Sequence, residues 1–212
     1  VTAESQSATA KKLAQTVRAA LDGRSVVLVG MMGSGKSSIG RRLAAALELP
    51  FHDADTAIEQ AAGMTIDEIF RERGEPYFRE GEERVIKRLL QSGQQVLATG
   101  GGAVISERTR AGIAEAAVSI WLKAPVELLL HRVARRDNRP LLKAPDPKAV
   151  LTRLLDERAP FYEEANITLV SRDAPHEVIV EEALLLLASY LAGPWKMRKE
   201  GGAAAAQSEG RP

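Results

Sequence analysis

The sequence predicts an α/β protein: three layers, with one five-stranded parallel sheet and helices on both faces. Three observations carry this. Five short apolar runs of strand length alternate with longer stretches of helical periodicity. The first run, Val26 to Val29, breaks into a glycine-rich loop that opens at once into a helical pattern. No internal repeat competes, and the longest apolar run, Ala183 to Ala192, is too short to span a bilayer.

Taken in order, Val1 to Ala10 is small and polar, the composition of a disordered end, and Lys11 to Leu21 has helical spacing with Leu13, Val17 and Leu21 on one face. Asp22-Gly23 stops it, and the first strand begins at Val26. After the glycine loop comes a helix, Ser38 to Leu47, then a short second strand, Pro50 to Asp55, ending in two carboxylates. Thr56 to Ala62 and Thr65 to Arg73 read as short helices, the second opening on a capping box, Thr65-Ile-Asp-Glu68. Glu75 to Gln91 reads as a charged amphipathic helix, and Gln95 to Thr99 as the third strand, ended by Gly100-Gly101-Gly102. A helix over Ser106 to Ala116 leads to a fourth strand, Val118 to Leu122. Pro125 opens the next helix, a position that suits proline, and Pro140 stops its continuation. A helix over Pro147 to Glu157, a fifth strand over Ile167 to Val170 and a closing helix over Pro175 to Leu191 follow. Residues 1–24 thus read as an extension with a helix, 25–192 as one domain, and 193–212 as a disordered tail rich in Gly, Ala, Ser and Gln.

Composition narrows the chemistry. Lys+Arg 29 against Asp+Glu 28 gives a formal charge of +1, so no global pull toward nucleic acid or membrane is expected. Cys is absent, which excludes disulfides, thiolate metal sites and a cysteine nucleophile, and suits a reducing cytoplasm. His52, His131 and His176 are scattered without metal-ligand spacing. No signal-peptide pattern opens the chain.

The loop Gly30-Met-Met-Gly-Ser-Gly-Lys-Ser37 has the form of a P-loop in the required strand–loop–helix setting. Glycines let the backbone turn sharply and aim its N–H groups inward, at a helix N-terminus that already favours an anion. Lys36 adds a point charge for outer phosphates, and the Ser37 hydroxyl suits Mg²⁺. Nucleotide binding follows, whether in an enzyme, a switch or a motor.

Other residues carry weaker signals. Asp53 and Asp55 stand at the carboxyl end of a strand, where open α/β sheets bind ligands. If the extended geometry persists, both point to one side; the alternative is turn or cap acids. The third strand ends in glycine and offers no acid for Mg²⁺, which makes Asp53 the nearest candidate. Arg79 and Glu82, three apart, can pair on one helix face and present a guanidinium fork, or simply form a solvated face. The triple glycine permits close approach of a ligand, or is a flexible turn. The segment His131 to Lys143 holds Arg132, Arg135, Arg136, Arg139 and Lys143 against Asp137 alone, a composition fit for a lid over phosphates. It has no Phe, Tyr or Trp on which bases of a nucleic acid could stack. Arg158, read alone, is an ordinary ion-pairing residue near a helix end.

Taken together these pieces resemble the shikimate kinase family. The resemblance rests on the P-loop, Asp53-Ala-Asp55, Gly74-Glu-Pro-Tyr-Phe-Arg-Glu-Gly-Glu82, Gly100-Gly-Gly102, Arg139-Pro-Leu-Leu142 and Arg158-Ala-Pro-Phe-Tyr162, all in family order over about Val26 to Leu191. It implies a P-loop kinase fold with strand order 2-3-1-4-5 and a lid over about 132–146. It also implies transfer of the ATP γ-phosphoryl to the 3-hydroxyl of shikimate, in chorismate and aromatic amino-acid synthesis. By that resemblance Gly33, Ser34, Gly35, Lys36, Ser37 and Ser38 hold ATP, and Ser37 and Asp53 serve Mg²⁺, Asp53 through water. Asp55 binds the reacting hydroxyl. Arg79, Gly101, Gly102 and Arg158 hold shikimate, Arg139 comes from the lid to the phosphates beside Lys36, and Arg132 lies over adenine. A monomer acting on two small molecules is expected. The rivals are another small-molecule P-loop kinase, for gluconate or a nucleotide, and a non-catalytic nucleotide-binding module.

Overall fold

In the computed structural model, which describes residues 3–134 and 145–193, five strands form one sheet in the order β2-β3-β1-β4-β5. They are β1 Ser25–Val29, β2 Phe51–Asp53, β3 Val96–Ala98, β4 Ala117–Lys123 and β5 Ile167–Val170. Every neighbouring pair is parallel; Val27 stands opposite Leu97 on one side and Ser119 on the other. The helices are α1 Ala3–Leu21, α2 Lys36–Leu47, α3 Ala54–Ala62, α4 Ile66–Gln91, α5 Glu107–Ala116, α6 Val126–Ala134, α7 Pro147–Tyr162 and α8 His176–Ala192.

The three layers follow from the period-two alternation of strand side chains. Val26 and Leu28 face one way and meet Val17 and Leu21 of α1, Leu43 of α2, and Ala183 and Leu187 of α8. Val27 and Val29 face the other way and meet Ile86 of α4, Ile113 of α5, Leu129 of α6 and Tyr162 of α7. A strand buried on both faces reads as a continuous apolar run, as Val26 to Val29 does. Among the described residues no helix is long and apolar enough to cross a membrane.

The elements differ from the sequence reading in three places. The first helix begins at Ala3, so the stretch expected to be disordered is helical from its third residue. The break expected between the helices Thr65 to Arg73 and Glu75 to Gln91 is present within α4: Gly74 is non-helical (φ 81°, ψ 171°), a left-handed φ that glycine alone adopts at little cost. Pro76 falls in the first turn after that kink, where its missing N–H costs little. Strand β2 ends at Asp53, and Asp55 already belongs to the first turn of α3. Helix α7 runs past Glu157 to Tyr162 in spite of Pro160, and so carries Arg158 on a regular element. Burial of Tyr162 holds that last turn against the interrupted backbone bond.

The chain leaves β1 to one side for β2 and β3, then crosses to β4 and β5. The connection leaving β1 runs to one side and that leaving its neighbour β3 runs to the other, and the carboxyl ends of the strands there form the crevice in which open α/β sheets bind ligands.

Candidate active site

The phosphate loop fills one wall of that crevice. Gly30, Gly33 and Gly35 have φ of 136°, 81° and 102°, values that only glycine adopts readily. At Gly33 a Cβ would also sit 2.9 Å from Val133 Cγ2 and 3.1 Å from the Leu129 carbonyl, so α6 could not pack on the loop. Lys36 Nζ donates to the carbonyls of Gly30 (2.7 Å) and Met31 (2.9 Å), which folds the ammonium over the loop's mouth. Ser34 is fully buried, and its carbonyl accepts from Ser171 Oγ (2.9 Å) and Arg132 Nη1 (3.4 Å). Arg132 donates further to Ser171 Oγ and the Arg172 carbonyl, so it ties the loop after β5 to the flank of the phosphate loop.

Ser37 and Asp53 come together as a pair. Ser37 Oγ donates to Asp53 Oδ2 at 2.5 Å, while Asp53 Oδ1 caps α3 by accepting from the Asp55 N–H at 3.1 Å. Asp53 therefore fills both roles that the sequence left open, cap and neighbour of the loop hydroxyl. Asp53 and Asp55 do not line up as alternate residues of one strand, because the extended geometry stops at Asp53. Asp55 reaches the crevice from the first turn of α3 instead.

The turn Gly100–Gly102 is where the distant parts of the chain meet. A Cβ at Gly100 would lie 2.5 Å from Glu82 Oε1 and 2.9 Å from Asp55 Oδ1. One at Gly102 would lie 2.6 Å from both terminal nitrogens of Arg79. One at Gly101 would lie 3.3 Å from the Met32 N–H nitrogen and 3.6 Å from Arg158 Nη1. Asp55 from α3, Arg79 and Glu82 from α4, and Arg158 from α7 thus crowd one bare stretch of backbone beside the phosphate loop. A side chain at Gly100 would displace the two carboxylates and one at Gly102 would displace Arg79, while one at Gly101 would press only slightly on the Met32 backbone.

Arg79 is held in place. Its Nη1 donates to Glu82 Oε2 at 2.7 Å, and its Nε and Nη2 reach Glu75 Oε1 at 3.2 and 3.0 Å. Glu82 is 2% exposed, and burial pushes its carboxyl pKa up against the opposing pull of Arg79. Burial pulls the Arg79 pKa down, but Glu82 and Glu75 outweigh it and leave the guanidinium raised and charged. Two buried polar atoms here have no hydrogen-bond partner, Glu82 Oε1 and Arg158 Nε. Unmatched buried groups of this kind cost stability, and a bound ligand is one source of the missing bond.

Tyr162 pins the turn from below. It is fully buried, its ring stacks on Trp121 with centroids 5.8 Å apart, and its hydroxyl donates to the Gly101 carbonyl and lies 3.4 Å from Met31 Sδ. Burial raises its pKa to about 12 in spite of the nearby guanidinium groups of Arg158 and Arg79, so at neutral pH the hydroxyl keeps its proton and remains a donor.

A profile of the shikimate kinase family matches residues 32–188. A shikimate kinase of Rhodopseudomonas palustris is 60% identical over 173 residues, covering 82% of this chain and 85% of the relative. One of Nitrobacter winogradskyi is 62% identical over 171 residues, covering 81% and 80%. The chain belongs to the shikimate kinase family. In three dimensions it is similar to the shikimate kinase of Acinetobacter baumannii in complex with shikimate, with a TM-score of 0.78 and 36% identity, over 84% of this chain and 99% of that one.

For a shikimate kinase the crevice contains more than sequence reasoning picked out. Glu82 was legible as the partner of Arg79 through its three-residue spacing, but nothing in the sequence marks it as buried against Gly100. Tyr162 carried no signal beyond its place in the motif Arg158-Ala-Pro-Phe-Tyr162, and Ser171 none beyond its residue type. Of the residues expected in the site, Gly33 to Ser38, Asp53, Asp55, Arg79, Gly101, Gly102, Arg132 and Arg158 all lie along the crevice or the flank of its phosphate loop. Arg139 lies outside the described residues.

Proposed function

We propose that this chain transfers the γ-phosphoryl group of ATP to the 3-hydroxyl of shikimate, giving ADP and shikimate 3-phosphate. The convergence of Asp55, Arg79 and Arg158 on the bare turn beside the phosphate loop carries this reading. A small ring acid needs cationic forks for its carboxylate and a charged acceptor for its hydroxyl, and these three residues supply both within reach of one another.

In this reading the backbone N–H groups of Gly33 to Ser38 receive the ATP phosphates, and Lys36 exchanges the Gly30 and Met31 carbonyls for phosphate oxygens. Arg79 and Arg158, with the backbone of Gly101 and Gly102, hold the shikimate carboxylate. Asp55 accepts the hydrogen bond of the 3-hydroxyl and aims its oxygen in line with the γ-phosphorus. As the new O–P bond forms, the bond to the ADP oxygen breaks and ADP leaves with that electron pair. The hydroxyl proton passes to Asp55, late, because a carboxylate is a far weaker base than an alkoxide. The paired oxygens of Ser37 and Asp53 are hard donors beside the phosphate loop that fit Mg²⁺: Ser37 Oγ would hold the ion and Asp53 would serve it through water. Bound there it would neutralise charge on the β- and γ-phosphate oxygens. Arg132 flanks the nucleotide, and Arg139 reaches the phosphates from the lid. We take residues 25–192 as the kinase domain, with a lid over 132–146, in a monomer of the cytoplasm.

The test is an assay of ADP release and of phosphorylated product by phosphorus NMR, with shikimate, gluconate and a nucleoside monophosphate in parallel, each with and without Mg²⁺. Shikimate alone is expected to turn over, and only with Mg²⁺. Phosphorylation of gluconate or the nucleotide in its place rejects the reading, and ATP binding with no product leaves only a nucleotide-binding module.

Arg158→Ala is expected to weaken shikimate binding by roughly 1.5–3 kcal/mol, the range for losing a hydrogen-bonding set that involves a charge. The ATP Michaelis constant should not move. Calorimetric titration checks this, and an unaltered shikimate dissociation constant removes Arg158 from the site.

A further inference from the structure

Arg110 lies outside the crevice, on α5, yet it ties together two elements that form it. Its Nη1 donates to the carbonyls of Val104 (2.8 Å) and Ile105 (3.1 Å), in the short 3₁₀ turn that continues Gly100–Gly102. Its Nε donates to Glu164 Oε2 at 2.9 Å, and its guanidinium lies 4.7 Å from the centre of the Phe161 ring. Phe161 is in the last turn of α7, one turn after Arg158, and Glu164 stands just beyond that helix. The guanidinium therefore joins the glycine turn to the end of the helix that bears Arg158. Tyr162, whose hydroxyl donates to the Gly101 carbonyl, ties the same two elements from within; across the surface cleft of about 70 Å³ between Val104, Arg110, Ile113, Phe161, Glu164 and Asn166, Arg110 is the tie on the outer side.

We infer that Arg110 is a positioning residue for the acceptor substrate, setting the distance between the Gly101–Gly102 backbone and Arg158 without touching the ligand. The inference rests on the proposed function, in which those groups hold the shikimate carboxylate. A planar fork is needed: one group must serve two carbonyls, a carboxylate and an aromatic face at once, which an ammonium does not. The hydrogen bonds of Arg110 go to the glycine turn and to the residue just beyond α7, not to the phosphate loop, so its main effect falls on the acceptor rather than on ATP.

The test compares Arg110→Gln, Arg110→Lys and Glu164→Gln with Arg158→Ala, reading the Michaelis constants for shikimate and ATP, kcat and Tm for each. Arg110→Gln is expected to raise the shikimate constant by about fivefold, with the ATP constant unchanged, since displacing a binding group weakens only the contacts it makes. Arg110→Lys should restore little of the loss although the charge remains. Glu164→Gln, which keeps an acceptor, should stay near the parent. If Arg158→Ala raises the shikimate constant and both Arg110 variants leave it unchanged, the inference is overturned while the proposed function stands. Equal rises in both constants, or loss of Tm with unchanged constants, show a purely structural residue and also overturn it. If Arg158→Ala itself has no effect, the proposed function fails, and the inference with it.

Discussion

Asp55→Asn is expected to lower turnover with shikimate by roughly 10³-fold, within the range for loss of a positioned proton acceptor, while leaving ATP affinity intact. The substitution keeps the side chain's shape and removes its charge. Asn still offers an oxygen to the 3-hydroxyl, but it cannot take the proton that must leave as the O–P bond forms. The fold should tolerate the change: the α3 cap uses the Asp55 backbone N–H and the Asp53 carboxylate, both untouched. Glu82 should gain, because the Asp55 charge is among the causes that raise its pKa, so the Arg79–Glu82 pair survives. Steady-state kinetics with an ADP titration on the same sample separates the terms. A variant that turns over within about threefold of the parent, against the 10²-fold minimum expected of such a group, would show that Asp55 is not the acceptor.

What the sequence made legible divides along a physical line. Local rules placed the elements: a strand buried on both faces had to read as the run Val26 to Val29, and Thr65 and Glu68 form the capping box that their spacing implies. The phosphate loop is a local device too, its backbone N–H groups and left-handed glycines set by eight successive residues. The acceptor side of the site is not local. Arg79, Glu82, Asp55 and Arg158 lie on three helices, and each read alone passes for a solvated charge. Only the resemblance to a family grouped the aspartate and the arginines, and although its motif runs to Glu82 it gave that residue no role. Their depth could not be read either, since Glu82 is buried by a turn eighteen residues further on. Two local rules misled where tertiary packing overrode them. The helix read as ending at Glu157 continues to Tyr162, whose burial holds its last turn, and the alternation of Asp53 and Asp55 assumed a strand longer than the one that forms.

Gly102→Ala should separate folding from function most sharply. Gly102 has φ −105° and ψ −4°, a conformation open to alanine, so the backbone does not demand glycine. The added Cβ would sit 2.6 Å from Nη1 and Nη2 of Arg79, closer than carbon and nitrogen can approach. Those atoms are the far end of a flexible side chain, and the collision is relieved by swinging Arg79 away rather than by moving the sheet. The movement takes Arg79 from the place where it meets the substrate carboxylate, and it strips Glu82 Oε2 of its partner in a site only 2% exposed. Catalytic efficiency for shikimate should fall by roughly 10²-fold, the scale on which a misplacement of about 1 Å is felt. The ATP constant should hold, since the hydrogen bonds of Arg79 go to Glu75 and Glu82 on its own helix and not to the phosphate loop. Gly101→Ala provides the contrast, because its nearest contact would be 3.3 Å and its neighbours need shift only slightly. If Gly102→Ala keeps its efficiency with shikimate, Arg79 does not act from the position it occupies here; if Gly101→Ala and Gly102→Ala lose it equally, the collision with Arg79 is not the cause.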